Sequence, residues 1–427
     1  MKYTKLENDA NAYGFDRRSF LRLSMMAGAG TMLSSCGEKP AGETPAPRAV
    51  AAPDPAPNPP AASVPGRDMA RFPEKAEMIL LTDSPPQLET PLHYFRQDLT
   101  PNEAFFVRWH LSNIPLRVDT KTFQLSISGH LKNPLSLSLH ELRTEFEPVS
   151  LVAVNQCSGN SRSLYQPRVP GGQWGNGAIG NARWTGVRLK DLLERAGIKP
   201  GAAEVSFQGL DRAPFPGIAP FVKSLSAEHA MDNEVMIAYA MNGAPLPMLN
   251  GFPMRLVVPG WFATYWIKAL NEITVLPDKF HGFWMDKAYR IPKNADAQES
   301  PEHLATETEP ISRMPVRSLF VRPEPNEHIV LGTTYEVEGL ALDSGRGIRQ
   351  VEISTDGGKS WADAKLDPDL GKYSWRRWRF SWKPLSRGTQ TLMSRATNSA
   401  GETQTNAQWN RSGYSRNVIE SIELDVS

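Results

Sequence analysis

The segment LVAVNQCSGNSR, residues 151–162, carries a short apolar run directly into a polar loop that contains Cys157. A run of this kind, bounded by polar residues, predicts a buried strand, and a strand end holds its side chains on a rigid support. Gly159 permits close backbone approach, and Arg162 can lower the pKa of a nearby thiol and hold an anion. The segment therefore predicts a thiolate site at the end of a strand.

A glycine-rich stretch, GGQWGNGAIGNARW at residues 171–184, follows this loop. Many glycines beside polar residues are typical of a loop that wraps a cofactor, because glycine lets the backbone approach a ligand closely. Composition alone leaves a second interpretation open, in which Cys157 is a buried structural residue beside a flexible loop.

The composition is that of an ordinary folded protein: 427 residues, 40% hydrophobic, 22% charged. This length predicts two or three domains. The formal net charge of +1 gives no field that would attract DNA, RNA or an anionic membrane, so we expect no nucleic-acid partner. Two cysteines exclude a disulfide framework, a Cys-rich zinc site and an all-cysteine iron–sulfur cluster. Redox chemistry must then use a cofactor that needs few protein thiolates.

Residues 1–36 are predicted to be an export signal. Arg17 and Arg18 begin a twin-arginine pattern, and the apolar run that follows is too short to span a membrane. The sequence LSSC that ends at Cys36 is similar to a lipobox, which predicts lipidation of Cys36 and a lipid anchor, with an incidental cysteine as the alternative. Because the twin-arginine pathway exports folded proteins, we expect a periplasmic protein that receives its cofactor before export.

Residues 37–79 are rich in alanine and proline and are predicted to form an extended tether, because they lack the large apolar side chains of a core. Residues 80–293 have a mixed α+β pattern. Within them, residues 123–127 alternate as a strand, and residues 188–196 predict an amphipathic helix that ends at Gly197.

Residues 294–309 are polar and predict a linker between domains. Residues 310–427 contain about seven short strand-like runs, with Asp356-Gly357-Gly358 as a hairpin signal between two of them. This spacing predicts an Ig-like β-sandwich.

Seven motifs resemble, in order, those of the sulfite oxidase family of molybdopterin enzymes, and most closely those of its bacterial periplasmic sulfite:cytochrome c oxidoreductases. The motifs are FFVRWH (105–110), CSGNSR (157–162), GNARWTGVRLKDLL (180–193), FQGLD (207–211), YAMNGAPLP (239–247), GFPMRLVVPG (251–260) and FWMDKAYRIP (283–292). The resemblance continues into VEISTDGGKSWADAKL (351–366). It implies a sulfite-oxidase-type molybdopterin-binding domain at 80–293, an Ig-like dimerisation domain at 310–427, and a molybdenum–molybdopterin cofactor.

The resemblance also implies roles for individual residues. Cys157 matches the cysteine whose thiolate binds molybdenum, which suits a metal with soft sulfur ligands. Arg108 and Arg162 match arginines of the anion pocket, where a planar guanidinium can hold two oxyanion atoms. Tyr289 matches a tyrosine near the metal that positions substrate and handles protons. His110 matches a histidine close to the pterin.

Further matches are expected to bind the cofactor or to reach the substrate. Those expected to contact the cofactor are Asp211, Asn250, Arg255, Trp266, Ile267 and Lys268. Asn250 departs from the family pattern, since vertebrate members carry histidine there. Arg379, in a Trp-Arg segment of the second domain, is expected to reach the substrate pocket.

The implied reaction is oxidation of sulfite to sulfate, with electrons leaving one at a time. The chain has no haem-attachment motif, so we expect a separate c-type cytochrome as acceptor, and either a homodimer or a heterodimer with a cytochrome subunit. Alternatives with the same cofactor are sulfane dehydrogenases, nitrate reductases and methionine-sulfoxide reductases, although the last typically lack the sandwich domain. A non-enzymatic alternative is a tethered Ig-like binding lipoprotein without metal.

Overall fold

The computed structural model describes residues 68–324 and 327–427. The predicted signal at 1–36, with Cys36, and most of the predicted tether lie outside these residues. The predicted end of the tether at residue 79 is wrong, because strands already occur before it. Met78 is fully buried and packs in one apolar cluster with Leu88 and Trp109, so this segment has the core residues that a tether lacks.

The first sheet has four antiparallel strands in chain order. These are β1 (Met69–Arg71), β2 (Glu77–Asp83), β3 (Pro86–Glu89) and β4 (Val107–Arg108). Its role at the site is to place Arg108 at the end of β4.

The second sheet has five strands in the order β10-β9-β14-β5-β6, with β14 and β5 parallel. The strands are β5 (Gln124–Gly129), β6 (Leu135–Ser138), β9 (Glu204–Gly209), β10 (Val222–Ser226) and β14 (Leu270–Leu276). Two short helices flank it, α1 (Leu139–Thr144) and α3 (Ala227–Ala230). A capping box of Ser138 and Glu141 starts α1 by satisfying exposed backbone N–H groups.

The third sheet has the order β12-β11-β8-β7, with β13 paired to β11. Its strands are β7 (Val149–Gln156), β8 (Ile179–Arg188), β11 (Met236–Met241), β12 (Ala244–Pro245) and β13 (Arg255–Val257). Helix α2 (Leu189–Ala196) ends at Gly197, whose φ of 69° lies in the left-handed region that favours glycine. The helix predicted over 188–196 is thereby confirmed.

The connection to the second domain is more ordered than a polar linker suggests. Helix α4 (Phe283–Asp286) precedes β15 (Arg290–Pro292), which pairs with β16 (Thr308–Pro310). Short 3₁₀ turns occupy Leu92–Arg96, Asn102–Ala104, Arg162–Leu164, Met248–Asn250 and Ala263–Tyr265. In the part of the chain that the structure describes, no helix has the length and hydrophobicity needed to cross a membrane.

The second domain is a sandwich of two four-stranded antiparallel sheets, ordered β17-β18-β22-β21 and β20-β19-β23-β24. The strands are β17 (Arg317–Arg322), β18 (Tyr335–Leu342), β19 (Ile348–Ser354), β20 (Ala362–Asp363), β21 (Lys365–Leu366), β22 (Arg376–Trp382), β23 (Gly388–Asn398) and β24 (Glu420–Val426). The predicted hairpin at 356–358 joins β19 to β20, with positive φ at Gly357 and Gly358. The predicted β-sandwich is confirmed.

The apolar core of the first domain extends into the second. Ile311, Leu340 and Trp375 belong to the same buried cluster as the strands around Cys157, whereas the sandwich has its own core around Trp378. The two domains therefore share a packed interface next to β7.

A buried ionic network crosses this interface. The Arg317 guanidinium donates to the Glu420 carboxylate at 2.6 Å, to Ser161 Oγ at 2.6 Å and to Asn176 Oδ1 at 2.9 Å. Arg416 donates to the same carboxylate at 2.5 Å. Burial raises the pKa of Glu420, but the charges of Arg416 and Arg317 more than offset this and hold it below its usual 4.5. The network ties β17 and β24 to the loop that follows Cys157.

Arg317→Leu should lower the free energy of unfolding by about 3 kcal/mol, because it removes one partner of a buried ion pair. Since the folded-state pKa of Glu420 is depressed, the stability it contributes is present above pH 4.5 and is lost as the pH falls through the folded value. The variant should therefore also weaken the loss of stability in acid. Urea titrations across this pH range measure both effects.

The control is Arg346→Leu, which removes a surface pair with Glu402 whose side chains are 51% and 53% exposed. This substitution should lower the free energy of unfolding by less than about 1 kcal/mol. Equal losses in the two variants would contradict a special role for the buried network.

Candidate active site

Cys157 lies directly after β7, as predicted. Pairing of β7 with β8 brings Gln156 opposite Ile179, and the Cys157 N–H donates to the Ala178 carbonyl at 2.9 Å. The side chain is 7% exposed and lines two neighbouring cavities, a larger one and a smaller one. A rigid strand end therefore presents the thiol to both.

Only the start of the glycine-rich stretch borders a cavity: Gly171, Gly172 and Trp174 line the larger one, whereas residues 175–184 line neither. Its glycines instead let neighbouring protein groups approach: a Cβ at Gly177 would lie 2.1 Å from the Thr90 carbonyl oxygen, and one at Gly180 would lie 2.5 Å from the Phe105 ring. The Glu89 carboxylate accepts from the N–H groups of Gly175 and Gly177 at 2.9 and 3.0 Å. The stretch is a closely packed support for the Cys157 loop.

The larger cavity has a volume of about 530 Å³ and an excess of positive charge. Its cationic lining consists of Arg108, Arg162, Lys287, Arg290 and Arg411. Two carboxylates, those of Asp286 and Glu299, also line it. Such a lining favours an anionic ligand although the whole chain is nearly neutral.

Arg162 occupies a slot made by three glycines. A Cβ at Gly159, Gly171 or Gly413 would lie within 2.7–2.8 Å of its side chain. Its Nε and Nη2 donate to the Ser412 carbonyl of the second domain at 3.3 and 3.1 Å. The predicted role of Gly159, close approach to a bulky group, is thus filled by this guanidinium.

The prediction that Arg379 reaches the substrate pocket is wrong. Arg379 lies in the middle of β22, is 41% exposed, and pairs with Glu336 and Asp367 away from both cavities. The arginine that the second domain supplies to the larger cavity is Arg411. It lies in an irregular loop, and its guanidinium donates to both carboxylate oxygens of Glu299 at 2.6–3.1 Å. The sequence signal that could have identified Arg411 is its position in a loop with serine and glycine.

His110 and Tyr289 come together although 179 positions separate them. The Tyr289 hydroxyl and His110 Nε2 share a hydrogen bond of 2.5 Å. Desolvation, aided by the charges of Arg108, Lys268 and Lys223, holds the pKa of His110 well below 6.5, while burial raises the pKa of Tyr289. The pair is therefore a neutral imidazole and a protonated phenol. Tyr289 has a φ of 56°, an unusual value for a non-glycine residue at an active site.

The smaller cavity is lined by buried polar atoms without hydrogen-bond partners in the described residues. These atoms are Asn155 Nδ2, Ser158 Oγ, Arg255 Nε and Thr264 Oγ1. Buried polar atoms normally have partners, so four unsatisfied atoms around one cavity indicate a polar ligand. Lys268 and Arg255 add positive charge suited to an anionic group.

Asn250 lines the smaller cavity, but its side chain already bonds within the protein. Lys75 Nζ donates to its Oδ1, and its Nδ2 donates to the Phe106 carbonyl at 3.0 Å. Its carbonyl accepts from Arg255 Nη1 at 3.0 Å. Asn250 therefore orients Arg255. Lys75 was missed because it lies in the segment predicted to be a tether.

Three residues expected to contact the cofactor do not line either cavity. Asp211 is buried, and its carboxylate acts on the charge of Lys268. Burial and the charge of Arg255 lower the pKa of Lys268 to about 7. Trp266 and Ile267 are in the core, and the Trp266 carbonyl accepts from Arg255 Nη2 at 3.1 Å. The structure thus places Asp211 beside Lys268 and the Trp266 carbonyl beside Arg255, while Ile267 packs in the core.

Sequence reasoning also missed Lys223. This lysine is fully buried in β10, where its Nζ donates to the Trp284 carbonyl at 2.7 Å and lies 5.4 Å from the centroid of the Tyr289 ring. It forms no ion pair with a carboxylate among the described residues. Burial, and secondarily Arg290, lower its pKa from 10.5 to about 7. The sequence of β10, VKSLS, is not apolar, so no sequence signal marked this lysine as buried.

Comparisons with known proteins agree with this architecture. A family model for the oxidoreductase molybdopterin binding domain matches residues 110–284, and one for the Mo-co oxidoreductase dimerisation domain matches residues 308–426. Mitochondrial sulfite oxidase of Homo sapiens is 33% identical over 363 residues, 81% of this chain and 64% of that protein. Sulfite oxidase of Arabidopsis thaliana is 32% identical over 286 residues, 64% of this chain and 72% of that protein.

Among solved structures, the sulfane dehydrogenase SoxCD from Paracoccus pantotrophus superimposes with a TM-score of 0.70 at 24% identity, over 84% of this chain and 88% of that chain. At this identity the likeness shows the fold alone. The chain spans 64% of the length of the human relative.

The fold and the cavities beside Cys157 define a molybdopterin-binding oxidoreductase. The chain belongs to the sulfite oxidase family. The predicted succession of a molybdopterin-binding domain and a dimerisation domain is confirmed, and the cofactor is molybdopterin-bound molybdenum. The chemistry of the residues fits this group, since one soft thiolate lines both cavities, and unsatisfied polar atoms and two cationic side chains line the smaller one. The smaller cavity has a volume of only about 30 Å³, so the whole group needs part of the larger cavity as well.

Gly159→Ala should weaken anion binding in the larger cavity by at least about tenfold, because a lost charge-assisted hydrogen bond is worth roughly 1.5–3 kcal/mol. The added Cβ would lie 2.7 Å from the Arg162 guanidinium, which the other two glycines prevent from shifting aside. Calorimetric titration with sulfate, a non-reducing anion, measures the effect.

Gly201→Ala is the control for affinity: its φ of 86° makes alanine unfavourable there and lowers stability, but a Cβ meets nothing within 4 Å and Gly201 does not line the cavity, so sulfate affinity should be unchanged. Unchanged sulfate affinity in Gly159→Ala would show that Arg162 does not hold the anion.

Lys223→Met should stabilise the protein, and the gain should depend on pH. The folded-state pKa of about 7 is below the value of 10.5 in the unfolded chain, so the unfolded state binds more protons between these values. The charged lysine thus lowers the free energy of unfolding most below pH 7, and this destabilisation disappears as the pH approaches 10.5. Thermal unfolding at about pH 6 and about pH 10 should show the gain at the lower pH.

Lys190→Met, at a surface lysine 31% exposed beside Glu194, is the control and should show little change at either pH. A gain of equal size at both pH values for Lys223→Met would contradict the assignment of a destabilising buried charge.

Proposed function

We propose that this protein oxidises sulfite to sulfate and passes the electrons singly to a c-type cytochrome. The observation that carries the proposal is the position of two guanidinium groups, Arg108 and Arg162, in one cavity with Cys157. Among the residues that the structure describes, neither forms an ion pair with a carboxylate. Two such groups suit a small oxyanion, which a guanidinium can hold through two oxygen atoms.

When bound beside Cys157, the molybdenum cofactor supplies a centre that accepts two electrons and returns them one at a time. Cys157 would hold the metal, while Arg255, Lys268 and the unsatisfied atoms of Asn155 and Ser158 would hold the organic part.

The other residues of the chain bind substrate and handle protons. Arg108 and Arg162 hold the sulfite oxygens and so orient the anion in the cavity that Cys157 lines. Oxidation of sulfite with water releases two protons. The hydrogen-bonded Tyr289 hydroxyl and His110 Nε2 are positioned to hold a proton at the cavity wall.

The cytochrome acceptor, a homodimer or a heterodimer with a cytochrome subunit, and a periplasmic location are parts of the same proposal. Twin-arginine export and a lipid anchor at Cys36 are supported by sequence pattern. Sulfane sulfur, nitrate and sulfoxides remain the alternative substrates within this cofactor class, and a metal-free lipoprotein would require an empty cofactor site.

The test is to purify the exported protein, measure molybdenum, and follow sulfite-dependent reduction of ferricyanide and of cytochrome c. We expect about one molybdenum per chain and turnover with both acceptors, and we expect Cys157→Ser to lose both the metal and turnover. Full metal occupancy without sulfite turnover would refute sulfite as the substrate, and sulfane, nitrate and sulfoxide substrates would follow.

Tyr289→Phe should lower kcat with sulfite by about 100-fold, because it removes the hydroxyl that shares a proton with His110. Tyr265→Phe is the matched control: that tyrosine is also buried, and its hydroxyl donates to the Ile311 carbonyl at 2.6 Å outside both cavities. Steady-state rates for both variants, normalised to molybdenum content, make the comparison. Equal rates would remove Tyr289 from the mechanism.

A further inference from the structure

Tyr414, in the loop between β23 and β24, contacts two residues that have a role in the proposed function. The Arg162 guanidinium carbon lies 4.8 Å from the centroid of the Tyr414 ring, within the distance at which a cation is attracted to an aromatic face. The Tyr289 ring is parallel to the Tyr414 ring, with centroids 5.3 Å apart and an interplanar angle of 2°. One side chain of the second domain therefore contacts both the anion-binding arginine and the tyrosine that handles protons.

The backbone of Tyr414 is held by hydrogen bonds on both sides of the peptide unit. Its carbonyl accepts from Tyr165 Oη at 2.8 Å and from Asn410 Nδ2 at 2.9 Å. Its N–H donates to Asn410 Oδ1 at 3.2 Å, and the N–H of the next residue, Ser415, donates to the Ser158 carbonyl at 3.1 Å. Tyr414 therefore presents its ring from a firmly held backbone.

The edge and the face of the Arg162 guanidinium are held by different groups. The edge donates to backbone carbonyls: Nε and Nη2 donate to Ser412 at 3.3 and 3.1 Å, and Nη1 donates to Gly172 at 3.2 Å. The face lies against the Tyr414 ring. Among the residues that the structure describes, no carboxylate pairs with Arg162. Because carbonyls and an aromatic ring carry no net charge, they hold the guanidinium without cancelling its positive charge.

Arg411, in the same loop as Tyr414, shows the contrasting arrangement. Its guanidinium donates to both carboxylate oxygens of the buried Glu299 at 2.6–3.1 Å. A carboxylate also holds an arginine in place, but it neutralises the charge that attracts an oxyanion. Of these two arginines, the one that lies against a neutral ring keeps its charge for an anion.

We propose that Tyr414 is a positioning residue of the anion site, whose ring orients the Arg162 guanidinium without neutralising it. The inference rests on the proposed function, because it concerns an arginine that binds the sulfite oxygens there. A guanidinium binds two oxygens of one anion only when its plane is correctly oriented. Loss of the ring should therefore weaken anion binding although Arg162 itself is unchanged.

The experiment measures the sulfate affinity of the molybdenum-loaded full chain by calorimetric titration. Tyr414→Leu removes the ring and should weaken sulfate binding by at least about fivefold. Tyr414→Phe keeps the ring and should leave the affinity within about twofold of that of the unaltered protein. Tyr414→Met is a second variant without a ring, and it should show the same loss even if Tyr414→Leu folds poorly.

Tyr335→Leu is the matched control. In the same domain, the Arg322 guanidinium carbon also lies 4.8 Å from the centroid of the half-buried Tyr335 ring, and neither residue lines a cavity. The variant removes the same kind of contact and should leave the sulfate affinity unchanged. Equal losses in Tyr414→Leu and Tyr335→Leu would overturn the inference.

A double-mutant cycle separates positioning of Arg162 from a general structural role of Tyr414. Arg162→Lys keeps the positive charge but removes the planar group that lies against the ring. In this background Tyr414→Leu should change the sulfate affinity by less than about twofold, because the ring acts through the guanidinium. A loss as large as that in the unaltered background, or a similar loss in Tyr414→Phe, would overturn the inference.

Sulfite-dependent reduction of ferricyanide distinguishes this inference from the proposed function. Sulfite turnover together with unchanged sulfate affinity in Tyr414→Leu overturns the inference and leaves the proposed function in place. Absence of sulfite turnover in the metal-loaded protein refutes the proposed substrate, whereas a loss of sulfate affinity confined to the variants without a ring still supports the positioning role. Failure of the unaltered protein to bind sulfate overturns the inference.

Discussion

The buried guanidinium of Arg317 is the interaction on which the site depends. It comes from the sandwich domain, yet it donates to Ser161 and Asn176 in the loop that follows Cys157, as well as to Glu420. A charge without solvent contact is tolerated only when it is paired and hydrogen-bonded. The loop and the sandwich must therefore assemble together. Ser161, with a φ of 68°, immediately precedes Arg162, so the same network fixes the backbone from which the Arg162 side chain extends.

The sandwich consequently forms part of the active site. Ser412 supplies the carbonyl that holds the Arg162 guanidinium, and Tyr414 supplies one aromatic wall of the larger cavity. Arg411 adds a guanidinium whose charge Glu299 neutralises. This division gives the first domain the thiolate and the free arginines, while the second domain shapes the space around them. The second domain contributes three of the residues that line the larger cavity, Arg411, Ser412 and Tyr414.

The electrostatics of the site cannot be read from the total charge of the chain. The formal net charge of the chain is only +1, but the larger cavity is lined by five cationic side chains and two carboxylates. Next to this cavity, burial lowers the pKa of Arg255 to about 9. Burial and the charge of Arg255 lower the pKa of Lys268 to about 7. Both groups are therefore held away from water without enough negative charge around them. An anionic cofactor supplies that charge. The unsatisfied polar atoms and the depressed pKa values thus have a common explanation.

Periodicity and motif order were sufficient to predict β7 with Cys157 at its end, helix α2 with its stop at Gly197, and the succession of the two domains, because each depends on neighbours in the chain. Arg108, Arg162, His110 and Tyr289 were also predicted, through family motifs. The choice between Arg379 and Arg411 depended on tertiary structure, since which strand or loop faces a cavity is decided by packing between distant segments. The same holds for Lys75, Lys223 and Glu299: their significance comes from burial and from partners far away in sequence, which local pattern does not encode.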